Sequence, residues 1–230
     1  MLRTKTRIEF DTAQDLLDWS RRLGVPPYRV LLDPPPGTAR VRDVIRHVDG
    51  DDKRLVELVE GTLVEKAMGV ESAFLATLIA RWLGNCVEEM GDTGMILGAD
   101  GMLRIMPKLV RAPDVSYTTW GKVGSKKVPA KAVPHLVPDL AIEVYSPGNR
   151  RGEMQRKLAE YRSVGIAEIW MVYPKTRSIR VYLPGVPSVR YVSGDVITSA
   201  VLPGFQFSLA KLFEKLDDAP ETPKPKKRKK

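Results

Sequence analysis

The stretch VPDLAIEVYSPGNRRGEMQRKLAEYRSVGIAEIWMVY, residues 137–173, decides the fold of this chain. It opens with a short apolar run that predicts a strand, and a Pro-Gly turn then leads into a segment of helical spacing, about residues 149–164. A second apolar run, AEIWMVY, predicts another strand. A helix between two strands is typical of α/β proteins. The sequence therefore predicts an α/β fold in which this helix crosses over a mixed sheet.

Glu143 is the unexpected residue in the first of these strands. Alternation along the strand puts Leu140, Ile142 and Val144 on one face and Glu143 on the other. An ionised carboxylate in a largely apolar strand is costly without a partner. Two interpretations are open: an ion pair with a lysine or arginine of the covering helix, or a metal ligand. Lys157 flanks the apolar face of that helix and can reach toward the sheet, although a lysine whose ammonium extends to solvent is also common there.

Asp114, in RAPDVSYTTW, starts another apolar strand after a proline. If that strand neighbours the one carrying Glu143, the two carboxylates converge and repel each other unless a cation lies between them. Oxygen ligands of this kind suit Mg²⁺ or Mn²⁺. Asp139 also follows a proline, but it lies about 13 Å from Glu143 along the same strand. We therefore expect Asp139 to have a structural role.

The remaining chain contains further regular segments. Residues 10–23 predict a helix with Asp11 or Thr12 as its N-cap, and residues 70–90 predict a long, well-buried helix. LVELVEGTLVEK predicts a hairpin around Glu60 and Gly61. Other strands are predicted in TGMILGA, GMLRIMP, AEIWMVYP and RSIRVYLP, and LPGFQFSLAKLFEKL predicts a short strand and a closing helix.

Composition excludes several classes of protein. The chain has 230 residues, of which 43% are hydrophobic and 28% charged, as in ordinary globular proteins. No apolar run approaches the roughly 20 residues of a membrane helix, and the first residues do not resemble a signal peptide. The single cysteine excludes an internal disulfide, and two histidines are too few for a His-rich zinc site. We expect a cytoplasmic protein without a membrane partner.

The net charge of +9 is concentrated at one end of the chain. The last seven residues, KPKKRKK, carry six basic side chains, and without them the charge is +3. Such a tail is compatible with nucleic acid and equally with a solubilising, disordered end. A basic loop, GKVGSKKVPAK, adds Lys122, Lys126 and Lys127 as candidate phosphate contacts.

Four separated segments resemble the Uma2 family of endonucleases. They are LVELVEGTLVEK, RAPDVSYTTW, the stretch VPDLAIEVYSPGNRRGEMQRKLAEYRSVGIAEIWMVYPKTRSIRVY, and LPGFQFSLAKLF. They occur in the family's order and span about residues 53–213. The resemblance implies a restriction endonuclease-like core of the PD-(D/E)xK type, with a mixed central β-sheet flanked by helices.

The resemblance also implies a site. Asp114 matches the Pro-Asp aspartate and Glu143 the acidic residue of the second half-motif, both as metal ligands. Tyr145 stands where that half-motif has its lysine, and Lys157 of the following helix is the match for it. Glu57 matches a further acidic position that completes the metal shell, in competition with Glu71. The implied activity is hydrolysis of nucleic acid, most simply DNA, with Mg²⁺ or Mn²⁺, by a homodimer.

Three alternatives are open: a catalytically inactive nucleic-acid-binding module, a structural or partner-binding protein with salt-bridged carboxylates, and a hydrolase of another phosphoester. In each case we expect a helical appendage and Pro-rich linker over residues 1–39, the main domain over residues 40–216, and a disordered basic tail over residues 217–230.

Overall fold

A computed structural model describes residues 12–50 and 54–217. Its strands form a six-stranded sheet in the order β10-β9-β8-β7-β6-β3, a four-stranded sheet in the order β2-β1-β5-β4, and a two-stranded ladder of β11 and β12. The helices are α1 (Ala13–Leu23), α2 (Val41–Asp49), α3 (Val70–Glu89), α4 (Trp120–Val123), α5 (Arg151–Ser163) and α6 (Leu209–Phe213). The strands are β1 (Val56–Val59), β2 (Thr62–Glu65), β3 (Gly94–Leu97), β4 (Leu103–Met106), β5 (Leu109–Arg111), β6 (Val115–Thr119), β7 (Leu140–Val144), β8 (Glu168–Tyr173), β9 (Ser178–Tyr182), β10 (Val189–Tyr191), β11 (Val196–Thr198) and β12 (Gln206–Ser208). Across these described ranges, no helix has the length and apolar character needed to cross a membrane.

The centre of the larger sheet is the β7-α5-β8 unit. Strands β7 and β8 pair in parallel, with Ile142 opposite Trp170, and α5 connects them. Their outer neighbours β6 and β9 are antiparallel to them, so the sheet is mixed. The predicted α/β fold with a mixed central sheet and a crossing helix is therefore confirmed.

The two faces of β7 belong to different parts of the core. Leu140, Ile142 and Val144 pack with α3 and α6, whereas Ala141 packs with residues of α5 and α1. Tyr145 packs against the second of these clusters. The alternation predicted for this strand is confirmed, and it directs Glu143 toward α5.

Several local predictions hold because their signals are strong and local. The hairpin of β1 and β2 turns at Glu60 and Gly61, both with positive φ, as a tight two-residue turn requires. The first helix begins after Thr12, whose side chain caps it, while Phe10 and Asp11 of the predicted helix lie outside the described residues. The crossing helix α5 begins two residues later than predicted, because Glu153 accepts from the backbone N–H of Arg150 and so places the N-cap there.

Helices α2 and α4 and strands β5, β10 and β11 were not predicted. Helix α4 has four residues and lies at the start of the expected basic loop. Helix α2 lies in the charged segment before the first hairpin, and its apolar spacing is short. Strands β5, β10 and β11 have three residues each, too few for alternation to identify. Strand β5 matters most, because it ends at Arg111, a buried arginine that contacts the candidate site.

The N-terminal segment, residues 12–39, packs on the hairpin and on α5. Trp19 and Leu23 share a buried cluster with Met154 of α5. The backbone N–H of Leu31 donates to the carbonyl of Leu63 at 2.9 Å, which extends the edge of β2. The boundary between residues 39 and 40 stays a prediction, and the predicted basic tail lies outside the described residues apart from its first residue.

Glu168, at the start of β8, is a buried carboxylate whose partners are neutral donors. It accepts from Trp170 Nε1 at 2.7 Å, from Ser199 Oγ at 2.7 Å and from the backbone N–H groups of Ala200 and Val201.

We expect Glu168→Ala to lower the free energy of unfolding by about 2–4 kcal/mol, because several buried donors lose their acceptor. Urea unfolding measures this effect. A change below about 0.5 kcal/mol, which is usual for a surface site, would contradict it.

Candidate functional site

Asp114 and Glu143 lie side by side on adjacent strands. The antiparallel register that pairs Val115 with Ile142 brings Asp114, just before β6, next to Glu143 near the end of β7. Asp114 Oδ2 accepts from the backbone N–H of Val144 at 2.7 Å. The side chain of Asp114 is 14% exposed, whereas that of Glu143 is 3% exposed. The convergence of these two carboxylates is therefore present, with Asp114 on the solvent side.

Glu143 has two partners on α5. Lys157 Nζ lies 3.0 and 3.1 Å from its two carboxylate oxygens, and Tyr161 OH donates to Oε1 at 2.5 Å. Burial raises the pKa of Glu143 to about 7, with Lys157 opposing the rise and the carboxylate of Asp114 adding to it. The ion pair with the covering helix, one of the two interpretations of Glu143, is thus the contact observed.

Lys157 is buried between two carboxylates. Its Nζ also lies 3.1 Å from Glu57 Oε1. Burial alone would lower the pKa of Lys157, but Glu143 and Glu57 outweigh that effect and hold the pKa above its ordinary value. Lys157 is therefore a cation at neutral pH, and its ammonium joins the two buried carboxylates.

Glu57, on β1, is fully buried and its oxygens are occupied. Arg111 Nη1 donates to Oε2 at 2.7 Å, and the backbone N–H of Ala112 donates to Oε1 at 3.1 Å. Burial opposes ionisation of Glu57, yet Lys157 and Arg111 outweigh it and hold its pKa well below the usual range. Arg111 also pairs with Glu160 of α5 at 2.6 Å. These contacts place Glu57 in an ion-pair network behind Glu143.

Lys66, which follows β2, is a site residue that the sequence analysis missed. Its Nζ lies 2.9 Å from Asp114 Oδ1 and donates to the carbonyl of Ala99 at 2.9 Å. Its side chain is 4% exposed. Strand alternation offered a signal, because Lys66 lies two residues beyond the buried Val64 and so continues the same face.

The other predicted residues lie away from this group. Glu71 is exposed in the first turn of α3. Asp139 accepts from the backbone N–H of Thr119 at 2.8 Å and pairs with Lys122 at 2.8 Å, which is a strand-entry role. Lys126 and Lys127 are exposed in the loop after α4.

Tyr145 stands where the related motif has a lysine. It is stacked on Tyr173 with ring centroids 4.7 Å apart, and burial raises its pKa. It supplies no positive charge to the site, so Lys157 and Lys66 are the ammonium groups next to the two carboxylates.

The donor set of the site suits a hard divalent cation. Mg²⁺ in proteins is commonly held by one or two carboxylates, with water and substrate phosphate completing its coordination. Asp114 and Glu143 offer two such carboxylates. In residues 12–50 and 54–217, no group of three or more His, Cys, Asp and Glu side chains is arranged to hold a metal ion. The protein ligands available to such a cation are therefore the two carboxylates of Asp114 and Glu143. The carboxylate of Glu57 is paired with Arg111 and Lys157.

Comparison with known proteins identifies the fold and the family. A solved structure described as "a putative nuclease belonging to DUF820", from Anabaena variabilis, superposes with a TM-score of 0.63 at 16% sequence identity, covering 70% of this chain and 90% of that one. This likeness shows that the fold is shared. No match was found among curated proteins. The model of the Uma2 family, described as "Putative restriction endonuclease", matches residues 41–210, a range that contains both carboxylates and both lysines. With this match over most of its length, and with the predicted segments assembled around one site, the chain belongs to the Uma2 family.

Proposed function

We propose that this protein is a metal-dependent endonuclease that hydrolyses phosphodiester bonds, with DNA as its substrate. Family membership supports a nuclease-like function. The observation that carries the finer proposal is the pair of adjacent carboxylates, Asp114 and Glu143, each with a buried lysine at 2.9–3.0 Å. The two carboxylates offer anionic oxygens to a metal cation. The two lysines offer fixed positive charge to the phosphate of the substrate.

Asp114 and Glu143 would hold a divalent cation, Mg²⁺ or Mn²⁺, which supplies positive charge where the phosphodiester is attacked. The backbone N–H of Val144 holds Asp114 Oδ2, and Oδ1 lies beside the ammonium of Lys66. Tyr161 and Lys157 orient Glu143. Arg111 holds Glu57, and Glu57 pairs with Lys157, so the ammonium of Lys157 stays charged and fixed in position.

The reaction is an in-line hydrolysis. A water oxygen bonds to phosphorus, and the bond from phosphorus to the sugar 3′ oxygen breaks. The proton lost by the water passes to solvent, and the 3′ oxygen takes up a proton as it leaves. Lys157 and Lys66 stabilise the negative charge that builds on the phosphoryl oxygens, since donors held in a partly dry site act strongly on developing charge.

Binding of the polymer would involve the basic loop after α4. Lys126 and Lys127 are exposed there, and contacts of lysines to phosphates favour nucleic acid without reading its sequence. Lys122 is half-exposed and paired with Asp139, so it would have to exchange that partner for a phosphate.

We also propose that the protein is a cytoplasmic homodimer and that its main domain spans residues 40–216.

Thermal melting with Mn²⁺ or EDTA tests the proposal first. At a roughly hundredfold excess over its Kd, a bound ion stabilises a protein by about 2.7 kcal/mol. For a chain of this size, that corresponds to a rise in Tm of roughly 5–10 °C. We expect this rise in the wild type and its loss in Glu143→Gln. A cleavage screen on plasmid DNA, single-stranded DNA and RNA then identifies the substrate.

One alternative is favoured by a specific observation. Both carboxylates already have lysine partners, as a purely structural network would. In that case Mn²⁺ leaves the Tm of the wild type unchanged, and Glu143→Gln alters stability alone. That pair of results would replace the nuclease proposal by a catalytically inactive module that keeps the fold.

A further inference from the structure

Arg29 belongs to the N-terminal segment, ahead of the residues that match the family model, yet it is buried against the elements that carry the site. It ends a short 3-10 turn, Pro27–Arg29, and its side chain is 4% exposed. Its guanidinium donates in three directions. Nε donates to the carbonyl of Glu65 at 2.6 Å, Nη1 donates to the carbonyl of Gly148 at 3.2 Å, and Nη1 and Nη2 each donate to one oxygen of Glu153 at 2.8 Å.

We propose that Arg29 is a positioning residue that holds the two site loops, residues 66–69 and 145–149, against each other and against α5. This inference rests on the proposed function for its catalytic meaning, although the positioning itself can be tested without metal or substrate.

Each acceptor of Arg29 lies in, or directly beside, a segment that carries a site residue. Glu65 immediately precedes Lys66, which pairs with Asp114. Gly148 belongs to the loop that follows Glu143 and β7. Glu153 lies one turn before Lys157 on α5. A single buried side chain therefore contacts the approaches to both ammonium groups and the loop that follows β7.

The two site loops also contact each other, so a shift in one moves the other. A Cβ added at Gly148 would lie 3.2 Å from Ala67 Cβ, and one added at Gly69 would lie 3.4 Å from Pro147 Cδ. Asn149 accepts from the Ser146 N–H and hydroxyl and donates to Glu153 Oε2 at 3.1 Å. Arg29 thus belongs to a connected set of hydrogen bonds that joins Ser146, Gly148 and Asn149 of the second loop to Glu153.

The chemistry of the contact requires arginine. A planar guanidinium with five donors can serve two backbone carbonyls and a bidentate carboxylate together, whereas an ammonium cannot match this geometry. The N-terminal segment approaches α5 closely enough for the guanidinium of Arg29 to reach Glu153. Gly24 has a φ of +76°, and a Cβ there would lie 2.6 Å from the backbone of Gly152 and Glu153.

The experiment uses a double variant of the full chain. Arg29→Ala alone leaves Glu153 buried without its cation and risks unfolding. Arg29→Met with Glu153→Gln removes both charges at similar volume, while the glutamine oxygen can still accept from Asn149. The control is Arg22→Ala, which breaks a more exposed ion pair of the same segment, Arg22 to Glu60 at 2.8 Å, on the hairpin tip.

Hydrogen exchange at a temperature well below the melting transition is the first readout. We expect the backbone N–H groups of residues 66–69, 145, 146, 148 and 149 to exchange about tenfold faster or more in the double variant, with the strands of the central sheet unchanged. The Arg22→Ala control should match the wild type in both loops. Uniformly faster exchange, or unchanged exchange in the two loops, would overturn the positioning role.

Mn²⁺ affinity, measured by calorimetry, is the second readout. Loss of an outer residue that orients metal ligands commonly costs about 10–100-fold in affinity. We expect a weakening of that size in the double variant and none in Arg22→Ala. If the wild type binds no Mn²⁺, the metal-dependent function fails while the exchange result still decides the role of Arg29. If the wild type binds Mn²⁺ and the double variant binds equally well, the proposal for Arg29 fails alone.

Discussion

Asp114→Asn is expected to reduce metal-dependent cleavage of DNA by roughly 10²–10³-fold and to remove the Mn²⁺-dependent rise in Tm. A metal ion contributes several kcal/mol to stabilising transition-state charge, and each 1.36 kcal/mol is a factor of ten in rate. Asparagine keeps the size of the side chain and an oxygen that can accept from the Val144 N–H. The fold should therefore persist while the anionic ligand is lost.

Asp139→Asn is the matched control for this variant. Both aspartates follow a proline, both accept from a backbone N–H at 2.7–2.8 Å, both pair with a lysine, and both side chains are 14% exposed. Only Asp114 lies beside Glu143. We expect Asp139→Asn to retain cleavage and the response to Mn²⁺. Equal losses in the two variants would mean that the effect is structural, and full activity in Asp114→Asn would remove Asp114 from the site.

Lys157→Met is expected to lower the free energy of unfolding by about 3–5 kcal/mol in EDTA. The ammonium lies between Glu143 and Glu57. Its removal leaves the Glu57 carboxylate with less compensating charge, and it drives Glu143, whose pKa is already raised to about 7, to take up a proton. Methionine preserves most of the volume, so packing contributes little to the loss. Urea unfolding at neutral pH measures the change.

Mn²⁺ should stabilise Lys157→Met by more than it stabilises the wild type, because a cation held by Glu143 and Asp114 would replace part of the missing charge. A second variant, Lys157→Met with Glu143→Gln, should recover stability in EDTA and lose the additional response to Mn²⁺. A Lys157→Met protein as stable as the wild type would show that Lys157 is not holding these carboxylates. An unchanged response to Mn²⁺ in that variant would show that Glu143 is not a metal ligand.

Much of the site was predictable because its signals are local. Alternation along β7 assigns Glu143 to one face, and the helical spacing of α5 places Lys157 beside the packed stripe, so both follow from periodicity. The Pro-Asp start of β6 identified Asp114. The Glu60-Gly61 turn identified the hairpin that carries Glu57, although its partner Arg111 lies on a strand too short to recognise.

The sequence by itself determined the mixed α/β fold and the residue types available for chemistry, because periods of two and of 3.6 residues are properties of neighbouring positions. Only the tertiary structure decided which charges meet. The ion pairs join residues far apart in the sequence. Lys66 lies 48 positions from its partner Asp114, and Arg111 lies 54 positions from Glu57. Arg29 lies 124 positions from Glu153. A buried charge needs an opposite charge within a few ångströms in space and at no particular distance along the chain. These ion pairs therefore leave no periodic signal in the sequence. The packing of the strands and helices in the folded chain brings the paired residues together.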